Sequence, residues 1–199
     1  MTVVLLAAGC ATTADEARRP QPLSPPPQLP AAPAPAVPSP PPEPPAAYQP
    51  LPFPIPIPAD SYAEEPIVEF GTIQIPRIGL AHTMFSGVTL HNIDRGPSHW
   101  PGTALPGQRG NAVVAGHRAT HSQPFLRVHE LAPGDEVIFG VGGVRSVYRV
   151  TGSLIVFPED MWIANQTMAH TATLYACHPP GSEQQRYVVR MELVSTGPE

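Results

Sequence analysis

Between Pro20 and Pro58 the chain places nineteen of its thirty prolines. Each ring fixes φ at about −65° and removes a backbone donor, so neither helix nor sheet propagates through such a stretch. Residues 20–60 therefore read as a disordered, Pro-rich linker, and at about 3.1 Å per residue such a segment reaches on the order of 100 Å. Its X-Pro pairs also fit a proline-rich ligand for a partner domain, but a semi-rigid stalk accounts for the composition more simply. What remains for a packed core is residues 67–195, one domain of ordinary size that needs no disulfide staples.

Ahead of the linker, residues 1–19 open with MTVVLLAAGC. This apolar run is shorter than the roughly 20 residues that span a bilayer, and it lacks the positive start of a signal peptide. A lipid-anchored Cys10, a signal or membrane helix truncated by a misassigned start codon, and a terminus without a role all remain open. Together with the stalk the run favours export, which places the domain outside the cytoplasm, near membrane and wall. The net charge is −5 and all eleven basic residues are Arg. No basic stripe or cluster is present, which argues against a nucleic-acid partner. If Cys10 is lipidated or removed, Cys177 has no intramolecular partner, leaving a reactive thiol or an inert core cysteine.

From Phe70 onward, short β-type runs alternate with Gly and Pro. The pattern predicts strands over Thr72–Ile75, Asn111–Ala115, Glu136–Phe139, Val147–Val150, Leu154–Phe157, Thr173–Ala176 and Tyr187–Leu193. A helical turn is expected at Pro124–Glu130, where Phe125, Val128 and His129 have i, i+3, i+4 spacing, and another after Pro158. Seven or more short strands with little helix imply an all-β closed barrel or sandwich, because closure removes exposed edges.

Three residues carry the chemistry. Cys177 ends the run TLYA, and the loop HPPGSEQQ then leads to Arg186, which opens RYVVRMEL. If the two strands pair antiparallel, Cys177 and Arg186 share the mouth of the loop. His117 ends NAVVAG, where Gly116 allows a close backbone approach. A thiol, an imidazole and a guanidinium on one rim supply a nucleophile, a proton carrier and an anion stabiliser, which suffices for acyl transfer.

The segments TLYACHPPGSEQQRYVV and GNAVVAGHR resemble the sortase signature, and GPSHWPGTALPGQRGNAVVAGHR resembles the class E sortases of actinobacteria. The likeness runs from Ile73 to Leu193. It implies a closed eight-stranded sortase-type β-barrel with short helical turns, in which Cys177 is the nucleophile, His117 the general acid and Arg186 the stabilising cation. It also implies cleavage of a C-terminal sorting signal between Thr and Gly through a thioacyl-enzyme. The signal would be LAxTG-like, or LPxTG. The partners so implied are surface proteins bearing the signal, with an amine of peptidoglycan or its lipid-linked precursor as acceptor. Trp100 stands where class E members often carry Tyr, and Ala176 where sortases usually carry Thr; with His178 these are the expected substrate-binding residues. The loop HPPGSEQQR departs from the usual HPRFSARQR-like stretch, so Pro180 and Gly181 are expected to alter its shape.

Two rivals have different outcomes: a catalytically idle sortase-like surface binding domain, and a hydrolytic cysteine peptidase. His117 and His121, four apart, and His178 beside Cys177 raise zinc, but without C-x-x-C or H-E-x-x-H spacing the expectation is no metal and no cofactor. Glu64, Glu65 and Glu69 fit a cation site in the manner of calcium-dependent sortases, but a solvated boundary segment is the simpler reading.

Overall fold

Eight strands, most of them foreshadowed by short β-type runs in the sequence, form the domain. They are β1 (Glu69–Ile75), β2 (Leu80–Ser86), β3 (Ser98–His99), β4 (Gly110–Ala115), β5 (Glu136–Val141), β6 (Val144–Val156), β7 (His170–His178) and β8 (Gln185–Pro198). The computed structural model describes residues 51–199, so the export segment and most of the linker lie outside the described residues. The strands close into a barrel in the order β1-β2-β3-β4-β7-β8-β6-β5, as expected for this fold class. Pairings are antiparallel except β2 with β3 and β4 with β7, which run parallel. Among the described residues no helix is long and apolar enough to cross a membrane.

Inside the barrel, alternate residues build one core: Ile73 and Ile75 of β1, Val114 of β4, Phe139 of β5, Tyr148 of β6, Leu174 of β7 and Met191 of β8. Burial of such side chains stabilises by about 1.5–3 kcal/mol each relative to exposure. The intervening residues of β4, β7 and β8 face outward, yet they too are covered. Val113 packs with Val88, Trp100 and Ala164, and Val188 with Val156 and Ile163. A second layer therefore roofs one patch of the outer wall. It comprises the turn carrying Val88, the one-turn helix α1 (Leu90–Ile93), Trp100, and the 3₁₀ turn Met161–Ala164.

Several expectations needed correction. β2 and β3 were not expected, and the expected strands Val147–Val150 and Leu154–Phe157 merge, short of Phe157, into the single strand β6, which passes Gly152 through a register shift opposite β8. Of Pro124–Glu130 only Val128–Glu130 is helical, as a 3₁₀ turn. The end of the expected linker is fixed to the domain: Ile55 N–H donates to Pro101 O at 3.0 Å, and the Trp100 indole donates to Ile55 O at 2.8 Å. Proline lacks a donor but keeps its carbonyl, and its neighbours keep both groups, so a Pro-rich segment can still be pinned. Nor is Glu65 simply solvated. It accepts from Val88 N–H, from Thr89 N–H and hydroxyl, and from the Asn92 amide. Burial pushes its carboxyl up, but these hydrogen bonds outweigh burial and hold it below the usual range.

Gly102 lies beneath the pinned segment at φ +78°, and a Cβ there would collide with Phe53 O. Only glycine meets both demands. Gly102→Ala is expected to destabilise the protein by about 1–3 kcal/mol and to lift residues 53–57. Urea unfolding gives the first quantity. A red shift of Trp100 fluorescence reports the second, since Trp100 is only 3% exposed in the wild type.

Candidate active site

Parallel pairing of β4 with β7 aligns Ala115 with Tyr175. Two residues further along each strand direction come His117 and Cys177, on the same side of the sheet as that pair, because side chains alternate with period two. On the other flank of β7, antiparallel β8 sets Arg186 opposite Cys177. Imidazole, thiol and guanidinium thus form one row across three neighbouring strands, on the roofed outer face. Gly116 helps to hold the histidine end: its N–H donates to Tyr175 O at 3.2 Å, and a Cβ on it would stand 2.5 Å from the Phe125 ring. The close approach expected at Gly116 is therefore made by Phe125, whose N–H donates to His117 O at 3.0 Å.

The row opens into a cavity of about 190 Å³, lined by Cys177, His117 and Arg186 together with apolar side chains that include Ile57, Leu90, Ile93, Trp100 and Met161. Burial pushes the Cys177 thiol up, and Arg186 partly offsets that by favouring the thiolate, while Glu183 adds a smaller upward push. One Arg186 guanidinium nitrogen donates to Glu183 O at 2.8 Å and Gln185 O at 3.0 Å, which fixes the side chain at the loop end of β8. His117 Nε2 donates to Asp94 Oδ1 at 2.6 Å. Asp94 follows α1, and its other oxygen accepts from the Tyr62 hydroxyl at 3.2 Å.

Of the residues expected to touch substrate, Trp100 lines the cavity, but its indole N–H is occupied by Ile55 O, so it offers a ring face and no donor. Ala176 points the opposite way from Cys177, into the barrel core, at 2% exposure. His178 follows the same inward phase, and its Nδ1 accepts from Arg118 at 2.6 Å beside the Tyr187 ring. Neither lines the cavity, since adjacency to a nucleophile in sequence means opposition across a strand. Sequence reasoning missed Asp94 and Ile57. Tyr175 was within its reach, two residues before Cys177 on the same face.

The fold and the site together define a β-barrel protein whose thiol, imidazole and guanidinium share its outer wall. The chain belongs to the sortase family: the family model of the sortase domain matches residues 73–194. It is 26% identical over 150 residues to Sortase SrtE1 of Streptomyces coelicolor, which covers 67% of this chain and 43% of that protein. It is also 26% identical over 123 residues to Sortase D of Bacillus subtilis, covering 60% and 61%. The chain thus spans about half the length of the curated relatives it matches. Among solved structures, sortase E from Streptomyces avermitilis superposes with a TM-score of 0.61 at 30% identity, covering 66% of this chain and 91% of that one. The Clostridium perfringens Sortase D5 transpeptidase gives 0.59 at 29%, covering 64% and 79%. The resemblance to class E sortases agrees with the Streptomyces matches.

Proposed function

We propose that this protein is a cysteine transpeptidase that cleaves a C-terminal sorting signal and joins the released acyl group to a cell-wall amine, working outside the cytoplasmic membrane. The observation that carries the reading is the row of His117, Cys177 and Arg186 facing one apolar cavity. In the reaction the Cys177 thiolate attacks the carbonyl of the Thr-Gly bond. Arg186 donates to the oxyanion that develops, and the His117 imidazolium gives its proton to the departing Gly amine. The thioester that remains is attacked by the acceptor amine. Its proton returns to His117 and the Cys177 sulfur leaves, so the resting groups are restored.

Burial raises the thiol, so the reactive thiolate is the minor form near neutral pH. Asp94, hydrogen-bonded to His117 Nε2 at 2.6 Å, fixes the orientation of the ring. The apolar lining from Ile57, Leu90, Ile93 and Trp100 suits the Leu of an LAxTG or LPxTG signal. The acceptor is read, by likeness to the family, as an amine of peptidoglycan or its lipid-linked precursor.

The test is to incubate the full chain with LAxTG and LPxTG peptides plus a glycine or diaminopimelate amine, and to weigh the products. The full chain is used because Ile57 is part of the cavity wall. An amine-linked product establishes transpeptidation and ranks the signals. Only water-terminated peptide would mean a hydrolase, and no product or acyl-enzyme with any signal would mean an idle binding domain.

A further inference from the structure

His117 has a second neighbour besides Asp94. The ring of His121 stacks on it with centroids 4.8 Å apart and planes 24° from parallel. The two oxygens of Asp94 are divided between these imidazoles, with Oδ1 2.6 Å from His117 Nε2 and Oδ2 3.5 Å from His121 Nε2. One ligand atom from each of the three residues lies within 4.8 Å of the other two. We propose that Asp94, His117 and His121 form a binding site for a divalent transition ion, zinc foremost, and that the ion reversibly silences the active site.

The donor set suits the ion. Zinc takes neutral imidazole nitrogen and carboxylate oxygen at about 2.0–2.2 Å, so its tetrahedral ligand atoms stand roughly 3.3–3.6 Å from one another. The Asp94 to His121 separation already has that value, and the shorter Asp94 to His117 contact opens by a fraction of an ångström when the ion replaces the shared proton. Calcium and magnesium are poor candidates, since they want a shell of oxygens and only one carboxylate is present. Tyr62 supplies the outer hydrogen bond that ligating carboxylates commonly have, through its hydroxyl on Asp94 Oδ2.

His121 holds φ at +54°, a left-handed conformation that a non-glycine residue rarely adopts. The turn after β4 thereby sets an imidazole over His117 while leaving it 45% exposed, against 15% for His117. The fourth position faces water, and the ion has a route in. Cys177 is outside the group of ligand atoms, so the thiol is not consumed by binding. The zinc reading that spacing alone did not support thus returns through Asp94, which only the fold brings near.

The consequence for activity rests on the function proposed above. A metal on His117 Nε2 takes the place of the Nε2 proton and fixes the ring, so the imidazolium no longer forms; the N–H left on Nδ1 is a far weaker acid toward the leaving amine, and the enzyme idles until the ion is withdrawn.

Zinc chloride titrated calorimetrically into the metal-free full chain tests binding without reference to catalysis, with cobalt(II) absorption as a second readout of the ligand set. One ion per chain is expected. His121→Ala and Asp94→Asn should each weaken binding at least roughly ten-fold, whereas Cys177→Ala should leave it unchanged. His121 sits on an exposed turn, so its variant decides the matter even if Asp94→Asn fails to fold. The proposal is overturned if the wild type binds no zinc, if binding survives His121→Ala undiminished, or if Cys177→Ala removes it together with a thiolate-to-cobalt charge-transfer band. A second arm compares peptide cleavage with and without zinc for each variant. Inhibition reversed by EDTA in the wild type and relieved in His121→Ala supports the silencing role, and cleavage unaffected by bound zinc overturns it. A wild type inactive even without zinc would sink the functional reading, leaving the calorimetric result to stand alone.

Discussion

Cys177→Ala is expected to form no acyl-enzyme and to lose turnover by a factor on the order of 10⁴ or more, because no other group in the cavity can hold the acyl fragment. Arg186→Ala should keep the thioester but form it about 10²–10³-fold more slowly, the usual effect of deleting one donor to a developing oxyanion. Arg186→Lys should recover only part of that loss. A guanidinium can bond the loop carbonyls of Glu183 and Gln185 and still present a second nitrogen to substrate, and an ammonium lacks that fixed fork. The measurements are single-turnover rates with a chromogenic sorting peptide and the mass of the trapped intermediate. If Arg186→Ala matched the wild type in kcat, with only KM raised, Arg186 would be a binding residue that does not act on the oxyanion.

The second large effect concerns stability in acid. His99 in β3 is 2% exposed and lies flat on Phe70, with centroids 4.4 Å apart. Its Nε2 faces Ala104 O at 3.0 Å and the Thr103 oxygen at 3.1 Å. The Thr103 hydroxyl donates to Trp100 O at 2.6 Å, so Nε2 is the donor toward both oxygens. Nδ1 is buried without a partner. A second proton would sit there with no acceptor, and burial accordingly pushes the ring down to about 4, only partly opposed by the bond to Ala104.

The unfolded chain binds a proton near the ordinary histidine value and the folded chain refuses it until about 4. The neutral ring's contribution is therefore complete above about 6.5 and is lost as pH falls between there and about 4. Over that window the loss amounts to roughly 3 kcal/mol. Urea midpoints taken from pH 7 to pH 4.5 should fall steeply in the wild type. In His99→Phe the part of the slope due to this ring should be missing, at a cost of about 1 kcal/mol at pH 7 for the Ala104 hydrogen bond. Equal slopes in the two proteins would show that the ring accepts its proton freely.

How far these features were legible in the sequence varied with how local they are. TLYACH and RYVVRMEL alternate cleanly and end on chemically distinctive residues, so the two strands and the closeness of Cys177 to Arg186 could be read from them directly. β3 could not be read, since two residues carry no period and its existence depends on partners in β2 and β4. β6 appeared as two strands because Thr151 and Gly152 look like a stop, yet the ladder to β8 carries the chain past them. The composition of LPFPIPIPAD gave no hint that the segment would be pinned by an indole from Trp100. Asp94 lies in LHNIDRG, twenty-three residues from His117, and nothing in that string announces a partner for an imidazole.

The parallel ladder between β4 and β7 has a bearing on how such a protein can diverge. The spacing of His117 and Cys177 is set by paired backbone, so of the sequence between them residues 157–169 can be lengthened or exchanged without shifting the pair, whereas the segment that carries Phe125 holds the His117 backbone and cannot. The 3₁₀ turn Met161–Ala164, whose Met161 lines the cavity, lies in residues 157–169. Substrate preference can therefore drift by insertion while the reacting atoms keep their places. Grafting that segment from a relative into this barrel is a direct way to exchange one without the other.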